Sequence, residues 1–102
     1  MRYQRTARFL ADYVRLSPRE RVLFKKTVGA LNDAFAQQGR RFPARWPARL
    51  RVKAVAGAEG IWDLTWSFAG PDGRATFEIV DLEGEPAILW RRIGGHEILR
   101  EP

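Results

Sequence analysis

The sequence contains no cysteine and a single histidine, and these two absences exclude several kinds of chemistry. Without cysteine there is no disulfide framework, no thiolate zinc site, no iron–sulfur cluster and no cysteine nucleophile. With one histidine, a metal site built from several imidazoles is impossible. We therefore expect a protein that holds no metal and no cofactor.

Long apolar segments are also missing. No run approaches the roughly 20 apolar residues that cross a bilayer, and the start MRYQRTARFL has neither an apolar signal core nor a small-residue cleavage site. We expect a soluble cytoplasmic protein. A chain of 102 residues, 45% hydrophobic and 12% aromatic, is enough for one domain, residues 1–102, with a small core.

The chain is basic, and its charge is unevenly distributed. Lys and Arg number 18 against 12 Asp and Glu, a net charge of +6. Residues 1–53 contain 14 basic and 3 acidic side chains, a net of +11, whereas residues 54–102 contain 4 and 9, a net of −5. This imbalance favours a polyanionic partner such as a nucleic acid or an acidic protein.

The first half has the apolar spacing of two helices. Apolar residues recur at helical intervals over residues 5–16 and again over 18–39. Between them, Ser17-Pro18-Arg19-Glu20 combines an N-cap serine, a first-turn proline and the glutamate of a capping box. The sequence predicts a hairpin of two helices with a tight corner.

The second half has the alternation of strands. Residues 50–54 and 61–68 alternate apolar and polar side chains, and residues 74–80 and 87–93 read as two further strands. Short turns containing glycine separate the four successive strands. We expect an α+β fold in which the helical hairpin packs on one face of a four-stranded antiparallel sheet. The other face is then left for function.

A family resemblance appears at this point. The strand Leu50-Arg51-Val52-Lys53, the segment Gly60-Ile61-Trp62-Asp63-Leu64, the third strand opening at Arg74 and the stretch Trp90-Arg91-Arg92-Ile93-Gly94-Gly95-His96 occur in an order that resembles the RelE/ParE superfamily of toxins from type II toxin–antitoxin modules. Within it, the ending resembles the YafQ-like branch, and the second strand resembles HigB-type and phage Gp49-like toxins. The resemblance covers most of the chain.

The resemblance implies a RelE-like toxin that enters the ribosome and cleaves mRNA without a metal, through the RNA's own 2′-hydroxyl. It implies a cognate antitoxin, the ribosome and mRNA as partners, and a toxin that is monomeric when free. By motif position, His96 would transfer a proton and Arg74 would bind the scissile phosphate. Lys53 and Asp63 complete the candidate catalytic set, Lys53 holding a phosphate and Asp63 orienting His96 or accepting a proton.

Other cations are candidates for RNA binding because basic side chains neutralise phosphates. They are Arg51, Arg91, Arg92, Arg45, Lys25 and Lys26. Each also has a simpler interpretation, since alternating cations are typical of any solvent-facing strand and a lone histidine after Gly-Gly is often a loop residue. We expect His96→Ala and Arg74→Ala each to abolish toxicity without unfolding the protein.

Two alternative functions stay open on the sequence. One is a ParE-like toxin that inhibits DNA gyrase by binding, because the fold is shared. The other is a nonenzymatic nucleic-acid-binding relative, favoured by Thr65, which stands where related chains often carry an arginine. His96 together with Arg74 favours the nuclease, because a pure inhibitor needs no group that transfers protons.

Overall fold

The computed structural model describes residues 2–37, 46, 48–67 and 72–102. Among these residues the fold is α+β, as the sequence predicts. The helices and strands follow one another as β1 (Tyr3–Arg5), α1 (Ala7–Tyr13), α2 (Pro18–Gln37), β2 (Val52–Ala54), β3 (Trp62–Ser67), β4 (Gly73–Leu82) and β5 (Glu85–Gly94). Two 3₁₀ turns, Ala48–Leu50 and His96–Arg100, precede β2 and follow β5.

The sheet is mixed, with the strand order β1-β5-β4-β3-β2. The four antiparallel strands form the expected meander, but β1 adds a parallel edge strand against β5, with Tyr3 opposite Ile88 and Arg5 opposite Trp90. The sequence prediction of a purely antiparallel four-stranded sheet is therefore wrong at this edge. Residues 3–5 are exposed and too few to show the alternation by which a strand is predicted. They form a strand because they pair with the edge of β5.

The first helix begins later than predicted, because residues 3–5 are extended. Thr6 caps it: the Phe9 amide donates to Thr6 Oγ1 at 3.0 Å, and the same hydroxyl donates to the Arg91 carbonyl at 2.8 Å. Thr6 thus satisfies a helix amide and fastens the start of α1 to β5.

The corner between the helices is built as predicted. The Ser17 amide donates to Glu20 Oε1 at 2.8 Å, and the Glu20 amide donates to Ser17 Oγ at 3.1 Å. This reciprocal pair is a capping box, and it starts α2 at Pro18.

The first strand of the meander is shorter than predicted. Residues 48–50 form a 3₁₀ turn closed by the Arg51 amide, which donates to the Ala48 carbonyl at 3.1 Å. Arg51 has a φ of +48°, in the left-handed region that non-glycine residues rarely adopt. This bend restricts β2 to Val52–Ala54.

The core lies between the helices and one face of the sheet. Aromatic rings dominate it: Phe24 lies 5.2 Å from Trp90 and 6.2 Å from Trp66, and Phe77 lies 5.3 Å from Trp90, all between ring centroids. Trp62 and Trp46 are half-buried and pack against this cluster. The tryptophans that the structure describes therefore belong to the core or its margin. No helix in the described residues is long and apolar enough to span a membrane.

Candidate functional site

A row of polar side chains occupies the sheet face opposite the helices. Because successive side chains of a strand alternate between faces, Leu64 and Trp66 of β3 face the core, whereas Asp63 and Thr65 face away from it. The register places Asp63 opposite Thr76, and Thr65 opposite Arg74. These four residues (Asp63, Thr65, Arg74 and Thr76) form what we call the polar row, and all four are buried.

An ion pair links the two charged members of the polar row. Arg74 Nη1 donates to Asp63 Oδ2 at 2.7 Å, and the side chains are 11% and 1% exposed. A second carboxylate, Asp72, lies 3.8 Å from Arg74 Nη2. One role that the sequence suggests for Asp63 is to orient His96. In the structure its carboxylate binds Arg74 instead. Because these buried surroundings have a low dielectric constant, the attraction between the two charges is strong and keeps both side chains in position.

Several polar atoms of the row have no hydrogen-bond partner among the described residues. Asp63 Oδ1, Arg74 Nε and Thr76 Oγ1 are each buried and unpaired. Such atoms are costly to bury and are rare in proteins. The row therefore keeps hydrogen-bonding capacity that the fold itself does not use.

Lys53 extends the row on its outer side. It lies directly opposite Asp63 in the β2–β3 register, and its side chain is exposed. Lys53, Asp63 and Leu99 border a hollow of about 250 Å³. The sheet thus brings together three of the four candidate catalytic residues: Lys53, Asp63 and Arg74.

The turn that carries His96 lies across the end of this face. Ile98 is buried, and a Cβ at Gly94 would lie 3.0 Å from its Cγ2, so β5 and the turn are in close contact. The Gly95 amide donates to Glu97 Oε1 at 3.1 Å. His96 begins the turn and is exposed, with no hydrogen bond or ion pair to the described residues. The sequence predicts that the sheet face away from the helices is open. In the structure this face is largely covered at the polar row.

Two of the predicted RNA-binding arginines are used internally. Arg92 Nε donates to Asp12 Oδ2 at 2.7 Å, and Arg92 Nη1 donates to the Glu101 carbonyl at 3.0 Å. The hydrogen bond to Asp12 holds the pKa of Arg92 above its usual range. Arg91 forms an ion pair with Glu78 and donates to the Pro102 carbonyl. Both guanidinium groups fasten the sheet to its neighbours, so we do not assign them to RNA.

The remaining predicted RNA-binding residues are spread over the molecule. Arg51 is exposed at the bend before β2, and Lys25 and Lys26 are exposed on α2. Arg45 lies outside the described residues. These cations therefore do not converge on the polar row.

Asp12 is a residue of the site region that sequence reasoning missed. Besides binding Arg92, its Oδ2 accepts the Ile93 amide at 3.1 Å, which ties α1 to the end of β5. No local pattern signals this role, because the partners are about 80 positions away along the chain.

Among the described residues, no group of three or more histidines or carboxylates is placed to hold a metal ion. Comparisons of the chain with protein-family models, with curated proteins and with solved structures found no match.

Proposed function

We propose that this protein is a RelE-type toxin of a type II toxin–antitoxin module that cleaves mRNA in the ribosome without a metal. Its partners are the ribosome, mRNA and a cognate antitoxin. The proposal begins from the resemblance of the sequence motifs, and the arrangement of the candidate residues supports it.

The supporting observation is the convergence of residues distant in the sequence. Lys53, Asp63 and Arg74 come from three adjacent strands and lie side by side, and the turn that begins at His96 contributes Leu99 to the same hollow. A fold without a site here has no need to bury a charged pair on the face away from its core, since apolar residues of similar volume often stabilise as well or better.

The proposed chemistry assigns a distinct role to each group. The 2′-oxygen of the RNA forms a bond to the adjacent phosphorus while the bond from phosphorus to the 5′-oxygen breaks. One proton leaves the 2′-hydroxyl and one reaches the departing 5′-oxygen. His96, which is exposed, exchanges one of these protons with the RNA, and solvent water exchanges the other. Lys53 binds phosphate from the surface, and Arg74 stabilises the developing negative charge from beneath it.

Burial of the Asp63–Arg74 pair favours one alternative, a nonenzymatic nucleic-acid-binding relative. In that protein the pair would serve only to stabilise the sheet. The exposed Lys53 and the exposed His96 would then bind RNA without cutting it.

Mapping mRNA 5′ ends in cells that express the chain alone distinguishes these functions. We expect cuts at a constant position within codons, lost in His96→Ala. Arg100→Ala is the matched control, because Arg100 is exposed on the same 3₁₀ turn, and it should cut like the wild type. DNA breaks trapped on gyrase would instead indicate ParE-like inhibition, and the absence of both signals would indicate a nonenzymatic binder.

A further inference from the structure

A cleft of about 650 Å³ opens where β3 ends, β4 begins and β5 ends. The helix corner forms one wall and the turn that follows β5 forms the other. Its apolar lining comes from Leu16, Leu23, Trp66, Ile93 and Ile98. This volume lies within the range of roughly 300 to 1,000 Å³ typical of sites for small ligands.

The charges around the cleft are not equivalent. Arg15 and Arg19 line it, are exposed, and have no side-chain hydrogen bond or ion pair with the described residues. The acidic side chains that line it are already engaged. Asp12 binds Arg92, Glu20 accepts the Ser17 amide, Glu97 accepts the Gly95 amide, and Asp72 lies 3.8 Å from Arg74. Glu20 and Glu97 keep their negative charge while they accept amides, and Arg15 and Arg19 are the cations of the cleft that have no partner among the described residues. Their planar guanidinium groups suit phosphate.

Trp66 provides a second, independent indication of a ligand. It lines the cleft and is 3% exposed, and its indole Nε1–H is buried without an acceptor in the part of the chain that the structure describes. Buried indole N–H groups normally find a partner. A ligand with a flat apolar body would match the lining, and a hydrogen-bond acceptor brought to this covered donor by a shift of the ring would satisfy it.

We propose that the cleft binds one unstacked nucleotide of single-stranded RNA, with the base against the apolar lining and its phosphate on Arg15 and Arg19. Recognition of single-stranded RNA commonly uses bases splayed into such sites. Asp72 and Gly73 line the cleft directly before Arg74, so the cleft opens at the end of the sheet where the polar row begins, on the helix side and not on the face that carries the row. The inference rests on the proposed function for its choice of RNA, and it assigns to the helix corner a role in holding the substrate.

Binding of a trinucleotide whose 2′-oxygens are methylated tests the inference, because this probe cannot be cut through its 2′-oxygen. We expect Arg15→Gln/Arg19→Gln to weaken binding about tenfold or more at roughly 150 mM salt. Arg2→Gln/Arg5→Gln is the matched control: it removes the same charge from the β1 edge, outside the cleft, and should bind nearly as the wild type does.

A probe of equal charge with an abasic central position tests the base. We expect it to bind about tenfold more weakly, since contacts to the base contribute to the affinity for single-stranded RNA. Wild-type affinity of Arg15→Gln/Arg19→Gln, an equal loss in the control, or equal affinity for the abasic probe would overturn the inference.

The two proposals fail separately. Base-dependent binding in the cleft without ribosomal cleavage would reject only the nuclease. Ribosomal cleavage by a protein whose Arg15→Gln/Arg19→Gln variant binds the methylated probe normally would reject only the nucleotide site.

Discussion

Arg74 and Asp63 determine how substitutions in the candidate site have to be interpreted. Each neutralises the other in a location that excludes water, and the Arg74 side chain is only 11% exposed. Removing one partner leaves a buried charge without compensation, whereas removing both does not. From the sequence alone, Arg74→Ala is expected to abolish activity without unfolding the protein. From the structure, we expect Arg74→Ala to lower both activity and stability.

Paired substitutions measure this coupling. We predict that Arg74→Met lowers the free energy of unfolding by about 3 to 5 kcal/mol, because it leaves the Asp63 carboxylate unpaired. The double variant Asp63→Val/Arg74→Met should be less destabilised than Arg74→Met alone. Urea denaturation followed by tryptophan fluorescence gives both values. A loss below about 1 kcal/mol for Arg74→Met would show that the pair is effectively solvated.

The residue types of the site could be read from the sequence, but their pairing could not. Alternation alone places Asp63 on the face away from Trp62 and Leu64, and this placement is correct. That Asp63 meets Arg74 depends on the β3–β4 register, which begins across a hairpin whose exact turn the sequence does not determine. The covering of the polar row by the turn at His96–Arg100 depends on long-range packing of Ile98.

At the scale of elements, α1 is held to the sheet by polar contacts as well as by its apolar face. Asp12 accepts from Arg92 and from the Ile93 amide, with both side chains less than one-fifth exposed. The folded-state pKa of Arg92 is raised, so its contribution to stability is complete below the ordinary pKa of arginine and is lost only above it. The contact therefore operates throughout the neutral range.

Substitution of Asp12 tests this connection. We predict that Asp12→Ala lowers the free energy of unfolding by about 2 to 3 kcal/mol, since it removes hydrogen bonds to a charged group. Asp33→Ala is the control, because Asp33 is exposed on α2 and should change stability by no more than about 0.5 kcal/mol. Equal effects of the two substitutions in urea denaturation would show that Asp12 does not secure α1.

The elements that the sequence predicts well are those with strong local signals. The capping box at Ser17 and Glu20 and the alternation of β3 both have such signals. The edge strand β1 does not, because three residues show no usable periodicity and their pairing partner is more than 80 positions away. The bend at Arg51 is also invisible locally, since arginine has no preference for a positive φ.

At the scale of the whole molecule, the structure separates structural arginines from those available to a partner. Arg91 and Arg92 are committed to carboxylates of the chain itself, and Arg74 pairs with Asp63 within the candidate site. Arg15, Arg19, Lys25 and Lys26 lie exposed on the helices or at their corner. Part of the excess positive charge of the first half is thus presented by the helical side, where it can attract RNA over long range.

The most direct test of the proposed nuclease uses reconstituted translating ribosomes stalled on an mRNA with a defined codon in the A site. A single 2′-deoxy nucleotide is placed at the position that is cut in the all-ribose message. We predict that the purified protein cleaves the all-ribose message without added metal beyond what the ribosome requires, and that the deoxy substitution abolishes the cut while the ribosome remains in place. Cleavage at the deoxy position, or an intact all-ribose message, would contradict the account.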